Sequence, residues 1–137
     1  MLHLALIRGK VDSAQPVLVR VQTVETVRDL LASEPSSGPQ QWNLDRSLAR
    51  IAEEGNGVLV LLAQQESPTA ILEQLTHGAR VRPPQFPQRT LGVGAQILRD
   101  LGVRKMRLLS FPVAYKAVSG FELEVVEFVP FAAHHEE

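Results

Sequence analysis

The stretch that most limits what this chain can fold into is Leu91 to Pro130, LGVGAQILRDLGVRKMRLLSFPVAYKAVSGFELEVVEFVP. Its apolar residues change period partway along. Val93, Ile97, Leu98 and Leu101 recur at i, i+4, i+5 and i+8, which predicts a helix over Gly94–Leu101 with one buried stripe. Gly102 then suits the left-handed residue that closes a helix. Lys105 to Leu109 reads as a short strand. Ser119-Gly120 is a turn signal, and Leu123 to Val129 is a second strand rich in β-branched and aromatic residues. Burying Ile97, Leu98 and Leu101 contributes roughly 1.5–3 kcal/mol each.

The residues upstream supply partners for these elements. Leu2 to Ile7 alternates Leu2, Leu4 and Leu6 against His3, Ala5 and Ile7, which suits a strand. A turn at Lys10-Val11-Asp12-Ser13 leads to a second strand, Pro16 to Val21. Pro16 is tolerable at its first position, where no ladder hydrogen bond is lost. Glu25 to Ala32 reads as a short helix, and Ser33 to Gln41, SEPSSGPQQ, as a loop. Asn43 is a helix N-cap, able to accept an otherwise unpaired N–H of the first turn. Leu44, Leu48 and Ile51 form the stripe of that helix over Leu44–Glu53, and Gly55 ends it. Glu53 and Glu54 sit in its last turn, the unfavourable end of the helix dipole for acids. Gly57 to Leu62, GVLVLL, is a nearly continuous apolar run, as in a strand covered on both faces. Gln64 to Thr69 is a polar loop and Ala70 to Thr76 a short helix. His77 to Thr90 reads as a loop, because Pro83, Pro84 and Pro87 forbid regular structure around them.

Strands and helices thus alternate with short connections. That predicts an α/β fold, a single domain over residues 1–131 with a mixed β-sheet flanked by helices, followed by a frayed tail over 132–137. A chain of 137 residues can bury roughly two-thirds of its unfolded surface and needs no staple. The net charge of −1 argues against a nucleic-acid or anionic-membrane partner. No apolar run approaches a membrane span, and MLHLALIRGK lacks the architecture of a signal peptide. The chain has no cysteine, which excludes disulfides and thiolate metal sites. The expected compartment is the cytoplasm.

GVGAQILRDLGVRKMRLL followed by LEVVEFVP resembles the C-terminal part of GTP cyclohydrolase II, an enzyme often fused behind 3,4-dihydroxy-2-butanone 4-phosphate synthase in riboflavin biosynthesis. HLALIRG, PVLVRVQT and LARIAEEGNGVLVLL resemble further segments of that family, in the same order. The resemblance runs from His3 to Pro130 and implies the same α/β class. It also implies a zinc on three cysteines after the PVLVRV strand, where a catalytic zinc needs three good ligands and an open position. This chain has Glu25 to Gly38 there, ETVRDLLASEPSSG. The cysteine positions fall on Glu25 and near Pro35 and Ser37. A rebuilt site from Glu25, Asp29 and Glu34 is a weaker reading than a loop and helix, so the expectation is no metal and no cofactor.

The other functional motifs of the family are lost in the same way. Its RQEGRGIGL, which approaches the triphosphate, corresponds to Gln64-Gln65-Glu66-Ser67-Pro68-Thr69-Ala70, with both arginines and all glycines gone. Its D-x-R-D-Y-G-I-G corresponds to Pro87-Gln88-Arg89-Thr90-Leu91-Gly92-Val93-Gly94. Arg89 falls on the arginine implied to attack phosphate, but Pro87 replaces the aspartate that would take a proton. The helix with a tyrosine, R-A-Y-A-L-Q, has no counterpart, and L-T-N-N-P reads Leu109-Ser110-Phe111-Pro112 without its asparagines. No residue is therefore assigned a catalytic role. Arg80, Arg82 and Arg89 form a possible anion-binding cluster, against the plainer reading of solvated charges. His3 reads as structural, Trp42 as a packing staple, and Gly92-x-Gly94 as the start of a helix.

These losses predict a GTP cyclohydrolase II-like domain without that chemistry, the C-terminal part of a dihydroxybutanone phosphate synthase that it supports or regulates. The alternatives are a ligand-sensing module that binds a flavin or nucleotide in the former GTP pocket, or an enzyme of altered nucleotide specificity. The resemblance implies a fused or associated synthase domain as partner and a homodimer. Phe111, Tyr115, Phe128 and Phe131 are the expected interface residues, against the alternative that they are ordinary core.

Overall fold

The computed structural model describes residues 2–24, 42–63, 67–77, 88–110 and 122–131. Among them are five strands and three helices: β1 (Leu4–Arg8), β2 (Val17–Thr23), α1 (Leu44–Glu54), β3 (Gly57–Leu62), α2 (Pro68–His77), α3 (Gln88–Asp100), β4 (Lys105–Leu108) and β5 (Glu124–Phe128). The predicted helix over Glu25–Ala32 and the loop Ser33–Gln41 lie outside the described residues.

The strands form one mixed sheet in the order β1-β3-β2-β4-β5. β3, β2, β4 and β5 run parallel, and β1 is antiparallel to β3. The expected α/β fold with a mixed sheet is therefore what the chain adopts. β3 lies inside the sheet, and Val58, Leu59, Val60 and Leu62 are fully buried, as the run GVLVLL predicts.

Each sheet face has its own cover. Val17, Val19, Val58, Val60 and Leu62 pack against Ala95 and Leu98 of α3, with Val103, Met106, Leu108 and Leu123 around them. Leu18 and Leu59 face the other way and pack with Trp42, Ile51 of α1 and Leu109.

Local chemistry sets the helix ends. Asn43 caps α1, its Oδ1 accepting the Arg46 N–H at 2.8 Å. Gly55 ends it at φ 81°. Gly102 ends α3 at φ 93°, with its own N–H donating to Arg99 O and the Val103 N–H donating to Leu98 O. That paired arrangement is the Schellman motif, which satisfies carbonyls the last turn leaves unpaired. Pro68 opens α2, where its missing N–H costs nothing, and the Ser67 hydroxyl accepts the Ala70 N–H.

Three expectations need correction. Gln88, Arg89 and Thr90 are helical, not loop, so α3 begins six residues ahead of the predicted Gly94 (94 − 88 = 6). The reason is directional: proline restricts itself and the residue before it, so the residues after Pro87 are free to be helical. Gly92 and Gly94 accordingly sit inside the helix rather than at its start. Gly94 lets α3 approach the sheet closely, since a Cβ there would lie 3.2 Å from Val21 Cγ1 and 3.5 Å from Leu62 Cδ1. Leu48, assigned to the buried stripe of α1, is 39% exposed, because that face looks past the edge of the packed cluster.

Candidate functional site

Parallel strands end together, so their outgoing segments gather along one edge of the sheet. Here that edge holds Thr23, Leu62, Leu108 and Phe128 at the strand ends. It is tied laterally: the Val24 N–H donates to Leu62 O at 3.1 Å, and the Ser110 N–H to Val129 O at 3.0 Å. After β2 the chain crosses to the α1 face, and after β3 it crosses to the α3 face. Neighbouring strands with connections to opposite faces open a crevice at their carboxyl ends, the usual ligand position in open α/β sheets.

α3 points its N-terminus at this edge. Its Gly94 lies against Val21 and Leu62 near the carboxyl ends of β2 and β3, while Gly102 lies near Val11, ahead of β2. Arg89, one of the three arginines proposed for an anion, stands in the first turn of α3. Arg80 and Arg82 lie outside the described residues. So do Glu25 to Gly38 after β2, Gln64 to Glu66 after β3, and Phe111 and Pro112 after β4. All the segments where the resemblance places chemistry therefore leave from, or return to, this one edge.

The described polar groups here are used to hold backbone. Arg20 of β2 reaches three segments at once: Nε donates to Gln22 Oε1 at 2.9 Å, Nη1 to Leu109 O at 2.9 Å, and Nη2 to Trp42 O at 3.1 Å. Gln22 is buried beside it. Trp42 Nε1–H donates to Val129 O at 2.7 Å, and its ring meets Phe131 edge-on at 5.1 Å. Arg46 lies over the Phe131 ring at 4.4 Å. His3, at the start of β1, accepts the Ala63 N–H on Nδ1 at 3.0 Å, so it acts as a backbone anchor, in keeping with the structural reading. Phe128 and Phe131 are half-buried and pack against the two apolar clusters. Phe111 and Tyr115 lie outside the described residues.

Arg20 and Gln22 were not singled out from the sequence. The signal was present: two polar residues at alternate positions of VLVRVQT, in a strand otherwise apolar. Alternation places both on one face, where a buried polar group must find partners.

The position equivalent to the family's three thiolates contains none, because the sequence has no cysteine. Among the described residues, no three His, Asp or Glu side chains converge as a metal site. No described helix is long and apolar enough to cross a membrane.

A mostly parallel sheet with helices on both faces defines an open-sheet class of α/β domain. Within that class, the chain belongs to the GTP cyclohydrolase II family, whose model matches residues 1–130. It is 45% identical over 132 residues to the 3,4-dihydroxy-2-butanone 4-phosphate synthase of Pseudomonas aeruginosa, covering 93% of this chain and 35% of that protein. It is 38% identical over 141 residues to the riboflavin biosynthesis protein RibBA of Parabacteroides distasonis, covering 93% of this chain and 34% of the relative. Among solved structures it resembles RibBX, a two-domain 3,4-dihydroxy-2-butanone 4-phosphate synthase from A. baumannii, with a TM-score of 0.56 and 40% identity over 93% of this chain and 31% of that one. The chain thus spans about a third of the length of these relatives.

Proposed function

We propose that this chain is a non-catalytic GTP cyclohydrolase II-like domain, the C-terminal part of a cytoplasmic dihydroxybutanone phosphate synthase, and that it supports or regulates the synthase by contact. One observation carries the reading. The scaffold segments of the family are kept from His3 to Pro130, while the zinc, phosphate, base and base-recognition motifs have each lost residues, with Gln65, Glu66 and Arg89 retained. Ordinary drift in a working cyclohydrolase would spare those positions first. The names of the relatives support the link to the synthase. The domain is proposed to hold no zinc, to work in a homodimer, and to bind neither nucleic acid nor membrane.

The test is made on the longer natural protein. Deleting this domain is expected to change synthase turnover or oligomeric state while the synthase residues stay intact. Equal rate, stability and assembly in the two forms would refute the role. Elemental analysis of the purified protein should find no stoichiometric zinc, and GTP should yield neither formate nor pyrophosphate.

A second reading, a ligand-sensing module, draws on Arg89. The first turn of a helix presents unpaired N–H groups and a partial positive charge, which favour an anion. Flavin mononucleotide or GTP would then raise the melting temperature, and Arg89→Ala would remove the shift.

A further inference from the structure

The sequence contains two asparagines, Asn43 and Asn56, and the fold treats them differently. Both accept a backbone N–H on Oδ1: Asn43 from Arg46 at 2.8 Å, Asn56 from Lys10 at 2.9 Å. Asn43 is 8% exposed and is followed by Leu44 at the start of α1. Asn56 is exposed, and glycine stands on both sides of it, Gly55-Asn56-Gly57. It also closes a tight turn. Gly9, just past β1, has φ 74°, and a Cβ there would overlap Asn56 Oδ1. Asn56 thus locks the end of β1 to the turn that enters β3. Asparagine is a thermolabile residue, because the next backbone nitrogen can attack its side-chain carbonyl. A side chain on that next residue shields the nitrogen, and Gly57 has none. The nitrogen must also come free of its ladder. Gly57 pairs with Arg8 at the last position of the β1–β3 ladder, and it precedes the first β2–β3 pair, Val19 with Val58. Ladder ends open most easily. The N–H of Lys10 draws electron density from Oδ1 and leaves Cγ more open to attack.

We propose that Asn56 is a site of spontaneous covalent modification, and that its isoaspartyl product unlocks the end of β1. The Gly57 nitrogen bonds to Asn56 Cγ, the Cγ–Nδ2 bond breaks, and ammonia leaves with the Gly57 amide proton. Water then opens the cyclic imide at one of its two carbonyls. One opening gives aspartate, whose carboxylate still accepts the Lys10 N–H. The other gives isoaspartate, which routes the main chain through the former side chain and lengthens it by one methylene. The acceptor of Lys10 is then displaced, and Gly57 is pushed out of register with Arg8. The close fit of Asn56 on Gly9 leaves no slack to absorb the change. Asn43 is spared, because its successor carries a bulky side chain and its own side chain is buried in the cap of α1.

Peptide mass mapping of the purified protein, aged in its folded state at mildly alkaline pH, tests this. Asn56 should lose its amide while Asn43 keeps its own, and an isoaspartyl methyltransferase should then methylate the Asn56 peptide. In the aged protein the β1 amides bonded to β3 should exchange roughly tenfold or more faster, while the β2–β4 pairing keeps its protection. Freshly prepared Asn56→Asp should keep the protection of β1, because it retains the acceptor and the normal main chain. Conversion in urea but not in the folded protein would show that the ladder shields the site, and would overturn the proposal. Equal amide loss at both asparagines would overturn it too, as would unchanged β1 exchange once isoaspartate has formed. If Asn56→Asp loosens β1 as much as ageing does, the cause is the new charge rather than the rerouted main chain, and the unlocking step fails.

Discussion

On the α3 side the described core is hydrocarbon: valines, leucines, Ala95 and Met106. On the α1 side the cover is mixed. Trp42, Ile51 and Leu59 share that face with Arg20, Gln22 and the Trp42 N–H, each bonded to backbone or to one another. Hydrocarbon is non-directional, so the α3 side fixes that a helix packs there and leaves its bonds unspecified. Hydrogen bonds are directional, and those of the α1 side are aimed at particular carbonyls, Leu109, Trp42 and Val129. These carbonyls border the segments that leave the carboxyl edge of the sheet. One side supplies bulk stability; the other fixes where the loops begin. This bracing is the framework from which the loops depart.

The sharpest way to break the contrast is to open a cavity on each side and compare. Leu98 is 2% exposed against β2 and β3, so Leu98→Ala should cost about 2–5 kcal/mol in urea denaturation. The loss should be global, with no preference for one end of the sheet. A cost below about 1 kcal/mol would mean that α3 is not the main lid.

Arg20→Ala is the matching change on the α1 side. It orphans two backbone carbonyls near the carboxyl edge, at about 1–3 kcal/mol for a buried unsatisfied group. A loss of about 2 kcal/mol is expected. Unlike Leu98→Ala, it should raise hydrogen exchange first around Trp42 and Leu109, where the bonds were. A uniform rise across the sheet would erase the distinction between the two sides.

The same contrast explains how much could be read in advance. The α3 side was legible because its residues follow simple periods: the helical stripe Val93, Ile97, Leu98 and Leu101, and the continuous run GVLVLL. Caps were legible too, since Asn43, Gly55 and Gly102 have one dominant use at helix ends. The α1 side was less so. Leu48 fitted the stripe, yet it points past the cluster, because the period of a helix does not say how wide its partner is. Arg20 looked like an ordinary charge in VLVRVQT; its three partners lie 2, 22 and 89 residues away in sequence. The start of α3 was missed because the prolines before it were read in both directions, when their restriction acts chiefly backward. The candidate site was legible as a set of lost residues. That their segments meet at one edge needed the strand order β1-β3-β2-β4-β5.

The smallest expected effect concerns Glu54, and it sharpens the comparison at the rim of the α1 side. An acid in the last turn of a helix is slightly unfavourable. Here Arg107 Nη1 of β4 donates to both carboxylate oxygens at 3.1 Å, and Arg50 Nη1 lies 3.3 Å away. The hydrogen bond from Arg107 is the main reason the Glu54 carboxyl titrates below the ordinary value of 4.5, and burial works against it. A depressed pKa in the folded state means that the stabilisation is present above the unfolded pKa and is lost as pH falls through the folded one. Both partners are partly exposed, with 28% and 29% of their side-chain surface open, so screening keeps the effect near the surface-pair range. Glu54→Gln should therefore cost about 0.5–1 kcal/mol at pH 7 and low salt. The gap from the unsubstituted protein should shrink as pH falls below about 4.5, because protonated Glu54 and glutamine are then nearly equivalent. It should shrink as well at high salt, where exposed charges are screened. Paired urea melts at pH 7 and pH 3 measure both. A gap that is independent of pH would place the worth of Glu54 in packing rather than in charge.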